Sequence, residues 1–184
     1  MILDSIYISP LESCNLHCRH CYTQKTKAVL SNSQILKFVK KYSDYLKTMF
    51  PLSSKGELKG DFGPKSIVFC GGEVFTLPDF TKLVNTLLSQ KIFITIITNG
   101  TIDKLREISD PKNCQLLVSF DGPPKIHDAN RGKGNFAASQ AFVKHALALG
   151  FPVEIFFLIT QDSYPYKDSF DLFGLPKTYL TDRL

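Results

Sequence analysis

Five short apolar, β-branched runs punctuate this chain: SIYIS at 5–9, SIVFC at 66–70, IFITIIT at 92–98, CQLLVSF at 114–120 and VEIFFLIT at 153–160. The gaps between them are far too long for hairpins. Consecutive runs must therefore be joined by right-handed crossovers and lie parallel. Their near-continuous hydrophobicity suits strands covered on both faces. The pattern predicts an α/β fold, either an open parallel sheet or part of a TIM-type α/β barrel.

The intervening segments carry helical signals. Ser31 and Gln34 fit a capping box; Ile35, Val39, Tyr42, Leu46 and Met49 recur at spacings of four and three, and Pro51 closes the pattern. Residues 53–65 read as a polar connection. A second helix is expected from near Pro78, burying Phe80, Leu83, Val84, Leu87 and Leu88. A short third is expected around Thr101 to Ile108, and a fourth from about Asn135 to Leu149, closed by Gly150. The tail beyond residue 160 is expected to add a fifth helix and a stub of a sixth strand around Thr178 to Leu180.

In parallel α/β folds, ligands bind at the C-terminal ends of the strands, where the βα loops gather. Four unusual stretches fall on that rim. CNLHCRHC (14–21) follows the first run, GGE (71–73) the second, TNG (98–100) the third and SFDG (119–122) the fourth.

At 184 residues and 43% hydrophobic, the chain is expected to form one domain over 1–184. No apolar run approaches the roughly 20 residues that cross a bilayer. The N-terminus MILDSIYISP lacks the basic and apolar regions of a signal peptide. A cytoplasmic location with reduced cysteines is the expectation. The net charge of +5 is spread along the chain, so it gives no ground for a nucleic-acid or membrane partner.

Three readings of Cys14, Cys18 and Cys21 compete. They are unligated thiols, although free cysteines are usually buried singly. They bind zinc with His17 or His20, although structural zinc sites usually pair two separated knuckles and no second CxxC follows. Or they hold an iron–sulfur cluster, in which three thiolates leave a fourth iron open. Cys70 and Cys114 read as buried strand cysteines.

The spacing Cys-x3-Cys-x2-Cys, with GGE about fifty residues further on, resembles the signature of radical S-adenosylmethionine (radical SAM) enzymes. The segment VSFDGPPKIHDANRGKGNF (118–136) is similar to the SPASM-type branch that modifies peptides and proteins, including the anaerobic sulfatase-maturating enzymes. The resemblance implies a partial barrel of about five βα units of the usual six. It implies a [4Fe-4S] cluster on Cys14, Cys18 and Cys21, with S-adenosyl-L-methionine on the open iron. It further implies an external one-electron reductant, flavodoxin- or ferredoxin-like, and a peptide or protein substrate.

Residue by residue, it implies that Gly71, Gly72 and Glu73 meet the methionine amino group, Ser119 the ribose and Arg131 the cofactor's carboxylate. His20 stands where the sulfatase-maturating enzymes place a tyrosine against the adenine. Asn99 is a cofactor-side candidate in the TNG turn. Asp121 to Pro123 form a turn signal, and His127 and Asp128 read as loop-shaping residues. Val74 replaces a frequent proline of the family. The likeness runs from about residue 5 to 160 and includes no cysteine-rich auxiliary-cluster domain and no identified substrate-side acid or base. The expectation is a truncated core. A zinc-binding interaction module and an inactive cluster-binding fragment remain the rival readings.

Overall fold

The computed structural model describes residues 5–42 and 66–166. Leu46, Met49 and Pro51, the 53–65 connection and the elements expected in the tail lie outside the described residues. Five parallel strands form one sheet: β1 (Ser5–Ile8), β2 (Ser66–Phe69), β3 (Phe93–Thr98), β4 (Cys114–Phe120) and β5 (Val153–Phe157). Their order in space is their order in sequence. A doubly wound sheet reverses direction at a switch point, whereas a barrel adds each strand to the same side. The sequential order therefore selects the barrel-type arrangement.

Helix α1 (Asn32–Lys41) starts with the expected capping box: the Gln34 N–H donates to Ser31 Oγ at 3.3 Å and the Ser31 N–H to Gln34 Oε1 at 2.8 Å. Helix α2 (Phe80–Ser89) begins two residues after Pro78, because Asp79 takes a left-handed conformation that no helix continues through. The helix expected around Thr101 to Ile108 is instead a single 3₁₀ turn, Leu105–Glu107. Asp103 Oδ1 accepts the Leu105 N–H, and Asn85 binds Glu107 O and the Ser109 N–H. Those side chains satisfy backbone groups that a helix would otherwise pair.

Helix α3 (Pro124–Arg131) was not anticipated. Pro124 sits at its first position and Gly132 ends it at φ +106°, so its start and stop signals are present, masked by the turn signature of Asp121 to Pro123. Asp128 shapes the next connection, accepting the Gly134 and Phe136 N–H groups. Helix α4 (Asn135–Ala148) follows the expected pattern, with Gly150 at φ +84° beyond it.

Because partners in a parallel register share a face, the pairing sorts the strand residues. Ile6 and Ile8, Ile67 and Phe69, Ile94 and Ile96, and Leu116, Val118 and Phe120 point to the helices. There they join Ile35, Val39, Phe80, Leu83, Leu87, Phe142 and Val143 in one core. Phe80 meets Phe69 and Phe75 edge-on at 5.2 and 5.7 Å between ring centroids. The opposite face carries Tyr7, Thr95, Ile97, Gln115, Ser119, Glu154 and Phe156. It departs from the expectation of strands covered on both sides, since Tyr7 and Phe156 are exposed. It is the face that a barrel turns toward its lumen rather than toward its helix layer. Polar contacts cross its floor: Thr95 Oγ1 donates to Gln115, and Gln115 Nε2 to Glu154 Oε1 at 2.7 Å.

Candidate functional site

The cysteine loop is closed at its base by a bridge between Leu11 and Val29 and by the Leu30 N–H to Pro10 O bond. Within it, Glu12 Oε2 accepts from Thr26 and Lys25 Nζ donates to Leu16 O. The loop then rests on the GGE turn. Gly72 N–H donates to Leu11 O at 2.9 Å and Glu73 N–H to Ser13 O at 3.1 Å. This approach requires glycine. Gly71 stands at φ +108°, and a Cβ on Gly72 would lie 1.9 Å from Ser13 O. On the far side, the Arg19 N–H donates to Asn130 O at the end of α3.

These contacts leave a cavity of about 420 Å³ at the C-terminal rim. Cys14, Cys18, Cys21 and His20 line it from the loop, Gly71 and Gly72 from the second strand end, Asn99 from the third, Ser119 from the fourth and Arg131 from α3. The volume falls in the range of small-molecule and cofactor sites. Cys14 and Cys18 are half-buried and Cys21 is exposed. Burial pushes the Cys18 thiol up, while the hydrogen-bonding Thr23 hydroxyl holds Cys21 below the ordinary thiol value. The thiols share the cavity without converging on a point. Among the described residues, no three Cys, His, Asp or Glu side chains are grouped so as to hold one metal ion.

Glu73 does not line the cavity. It is fully buried, and its carboxylate accepts from Thr98 Oγ1 at 2.9 and 3.0 Å, from Asn99 N–H at 2.8 Å and from Phe75 N–H at 3.2 Å. Burial pushes its pKa up against those bonds. In this arrangement Glu73 ties the GGE turn to the TNG turn. Val74 and Phe75, fully buried behind it, anchor the same turn in the core.

Arg131 reaches the cavity wall as half of a buried ion pair. Its Nε donates to Asp121 Oδ2 at 2.9 Å and its Nη2 to Oδ1 at 2.8 Å. His20 Nδ1 lies 3.6 Å from the same carboxylate. Sequence reasoning missed Asp121, whose Asp-Gly-Pro context reads as a turn; the available signal was an opposite charge ten residues away at Arg131. It also missed Phe156, Leu158 and Thr160, which line the cavity from β5 and beyond. Their orientation follows from the pairing of Ser119 with Phe156.

His127 is fully enclosed, between the rings of Phe120 and Phe136 at 5.3 and 5.6 Å. Its Nδ1 accepts the Asp121 N–H at 3.4 Å, and its Nε2 has no partner among the described residues. Burial, helped by the Arg131 charge, lowers its pKa to about 4 from 6.5. The unfolded chain therefore binds this proton first as pH falls. Stability is expected to be undiminished by this group above 6.5 and to fall on the way to pH 4, by on the order of 3 kcal/mol. Urea unfolding across that range should show the slope, and His127→Leu should flatten it.

The family model that matches is the Radical SAM superfamily, over residues 8–163. Among curated proteins, the chain is 27% identical over 137 residues to the antilisterial bacteriocin subtilosin biosynthesis protein AlbA of Bacillus subtilis, covering 71% of this chain and 28% of that one. It is 26% identical over 170 residues to an AdoMet-dependent heme synthase of Oleidesulfovibrio alaskensis, covering 87% of this chain and 39% of the other. The chain thus spans well under half the length of these relatives. Among solved structures, Streptococcus suis SuiB bound to S-adenosylmethionine superposes with a TM-score of 0.73 at 18% identity, over 94% of this chain and 38% of SuiB. anSMEcpe with bound AdoMet superposes with a TM-score of 0.67 at 21% identity, over 91% and 49%.

Proposed function

This chain belongs to the radical SAM superfamily, and from that premise we propose that its rim cavity binds a [4Fe-4S] cluster and S-adenosylmethionine for hydrogen abstraction from a peptide or protein substrate. The observation that carries the reading is that Cys14, Cys18 and Cys21 open into one cavity together with Gly71, Gly72, Asn99, Ser119 and Arg131, contributed by five separate segments. Three thiolates from one loop could hold three irons of a cubane and leave the fourth open to a ligand. When bound, the pair supplies a one-electron cleavage that yields methionine and a 5′-deoxyadenosyl radical.

The chain's own residues bind, orient and shield. The three thiolates would hold the cluster, and the Thr23 hydrogen bond already favours the thiolate of Cys21. Gly71 and Gly72 let the backbone approach the methionine end. Ser119 offers a hydroxyl to a sugar diol. Arg131, fixed by Asp121, would offer a guanidinium N–H to the cofactor's carboxylate. His20, which lines the same cavity, would face the adenine. Phe156 and Leu158 add apolar side chains to the cavity lining.

The peptide substrate class is supported by the names of the relatives: AlbA belongs to bacteriocin biosynthesis, and SuiB has been solved with its precursor peptide SuiA at a TM-score of 0.74. The heme-synthase relatives make a tetrapyrrole the competing class. In this reading residues 1–184 belong to one catalytic-core domain, supplied with electrons by a flavodoxin- or ferredoxin-like protein. Among the described residues no helix is long and apolar enough to cross a membrane, and a cytoplasmic setting would keep the thiols reduced.

Anaerobic reconstitution with iron and sulfide tests the proposal. A [4Fe-4S] absorption spectrum and, after reduction, release of 5′-deoxyadenosine are expected, and Cys18→Ala should abolish both. A colourless wild-type protein that binds stoichiometric zinc would overturn the reading. Deuterium transfer from a labelled peptide, and not from a porphyrin, into 5′-deoxyadenosine would assign the substrate class.

A further inference from the structure

The ring of hydrogen bonds between the TNG turn and the cysteine loop has a single polarity. Thr101 N–H, which can only donate, meets the Asn99 side chain at 2.9 Å, and Thr101 Oγ1 meets the same atom at 2.7 Å. That atom must be the amide oxygen, so the Asn99 amide nitrogen faces the loop. Its two hydrogens have two acceptors there: Asn15 Oδ1 at 3.0 Å and Cys14 Sγ at 3.7 Å. Asn15 Nδ2 closes the ring on Thr101 Oγ1 at 2.8 Å. A backbone donor, Leu16 N–H, reaches the same sulfur at 3.4 Å. The Cys14 thiol proton points to Asn15 Oδ1 at 3.8 Å, a contact that ends once the sulfur is deprotonated.

The three cysteines are therefore unequal. Cys14 receives two N–H donors, Cys21 faces the Thr23 hydroxyl at 3.1 Å, and no donor to Cys18 is found among the described residues. Asn99 itself is buried and held in place at its backbone, where its N–H donates to Glu73 at 2.8 Å. Donors to a ligating sulfur draw charge from the cluster and raise its reduction potential.

We propose that Asn99 is a positioning residue for the cluster: its side-chain amide, oriented by Thr101, donates to the Cys14 sulfur and sets the potential at which the cluster accepts its electron. This rests on Cys14 being a cluster ligand. Asn99 then acts on the metal side of the site, through a cysteine, rather than on S-adenosylmethionine.

The test is a redox titration of the anaerobically reconstituted full chain, followed by visible absorbance and electron paramagnetic resonance. Asn99→Ala, at the wild-type content of iron and sulfide, should titrate at a more negative midpoint. Thr101→Val, which leaves the Asn99 backbone and its bond to Glu73 intact, should shift the midpoint the same way by less. Asn99→Ala with full cluster content and the wild-type midpoint would overturn the proposal. If Asn99→Ala fails to assemble, a shifted Thr101→Val supports it and an unshifted one overturns it. A wild-type chain that assembles no cluster is a different result, and it sinks the function reading itself.

Discussion

Asp121→Ala is expected to lower the free energy of unfolding by about 3–5 kcal/mol, because it leaves a guanidinium in the wall of the core without its counter-charge. Asp121 is fully buried and Arg131 only 9% exposed, and two bonds of 2.9 and 2.8 Å join them. The pair links the end of β4 to the last turn of α3, so it also holds the cavity wall. Urea unfolding should show a lower midpoint at an unchanged slope. Adding Arg131→Met, which removes the stranded charge and keeps most of its volume, should recover most of the stability and none of the cofactor binding. A single variant within about 1 kcal/mol of wild type would mean that the pair is solvated like a surface bridge.

Gly72→Ala should have the largest effect on the site. The added Cβ would stand 1.9 Å from Ser13 O, 2.6 Å from Ser13 C and 2.8 Å from Glu12 C. All three are backbone atoms, so no rotamer relieves the overlap and the cysteine loop must lift from the GGE turn. Overpacking of this kind costs about 1–3 kcal/mol where the structure yields. Here the yielding part carries Cys14. Cluster loading after reconstitution should collapse while far-ultraviolet circular dichroism keeps the helices and sheet. Gly134→Ala is the control: at φ +85° it is strained, but nothing lies within 4 Å. It should cost stability and leave loading unchanged. Equal loading in both variants would refute the claim that the loop seats on Gly72.

The parallel α/β core was legible because its signals are local. The alternation of apolar runs with helix-length gaps dictates parallel strands, and the Ser31 and Gln34 capping box sits within four consecutive residues. The cysteine spacing, GGE, TNG and SFDG lie at strand ends in the sequence and at the rim in space for the same reason. Where two local signals conflicted, the reading failed. Asp121 to Pro123 announced a turn and concealed both α3 and the buried charge, while the periodicity after Gly100 gave way to side-chain bonds from Asn85 and Asp103.

By itself, then, the sequence determined that the strands are parallel, where the rim motifs lie and that the three thiols share one loop, because covalent adjacency and residue period decide these; the order of the strands in the sheet came from the tertiary structure. Only the tertiary structure decided what each polar side chain faces. Glu73 turns inward to Thr98 and the Asn99 backbone, Asp121 pairs with Arg131, and Asn99 points its amide at Cys14 across 85 residues of chain. Burial forces each such group to find a partner wherever the fold brings one, and that partner is set by register and packing, which no local stretch of sequence contains.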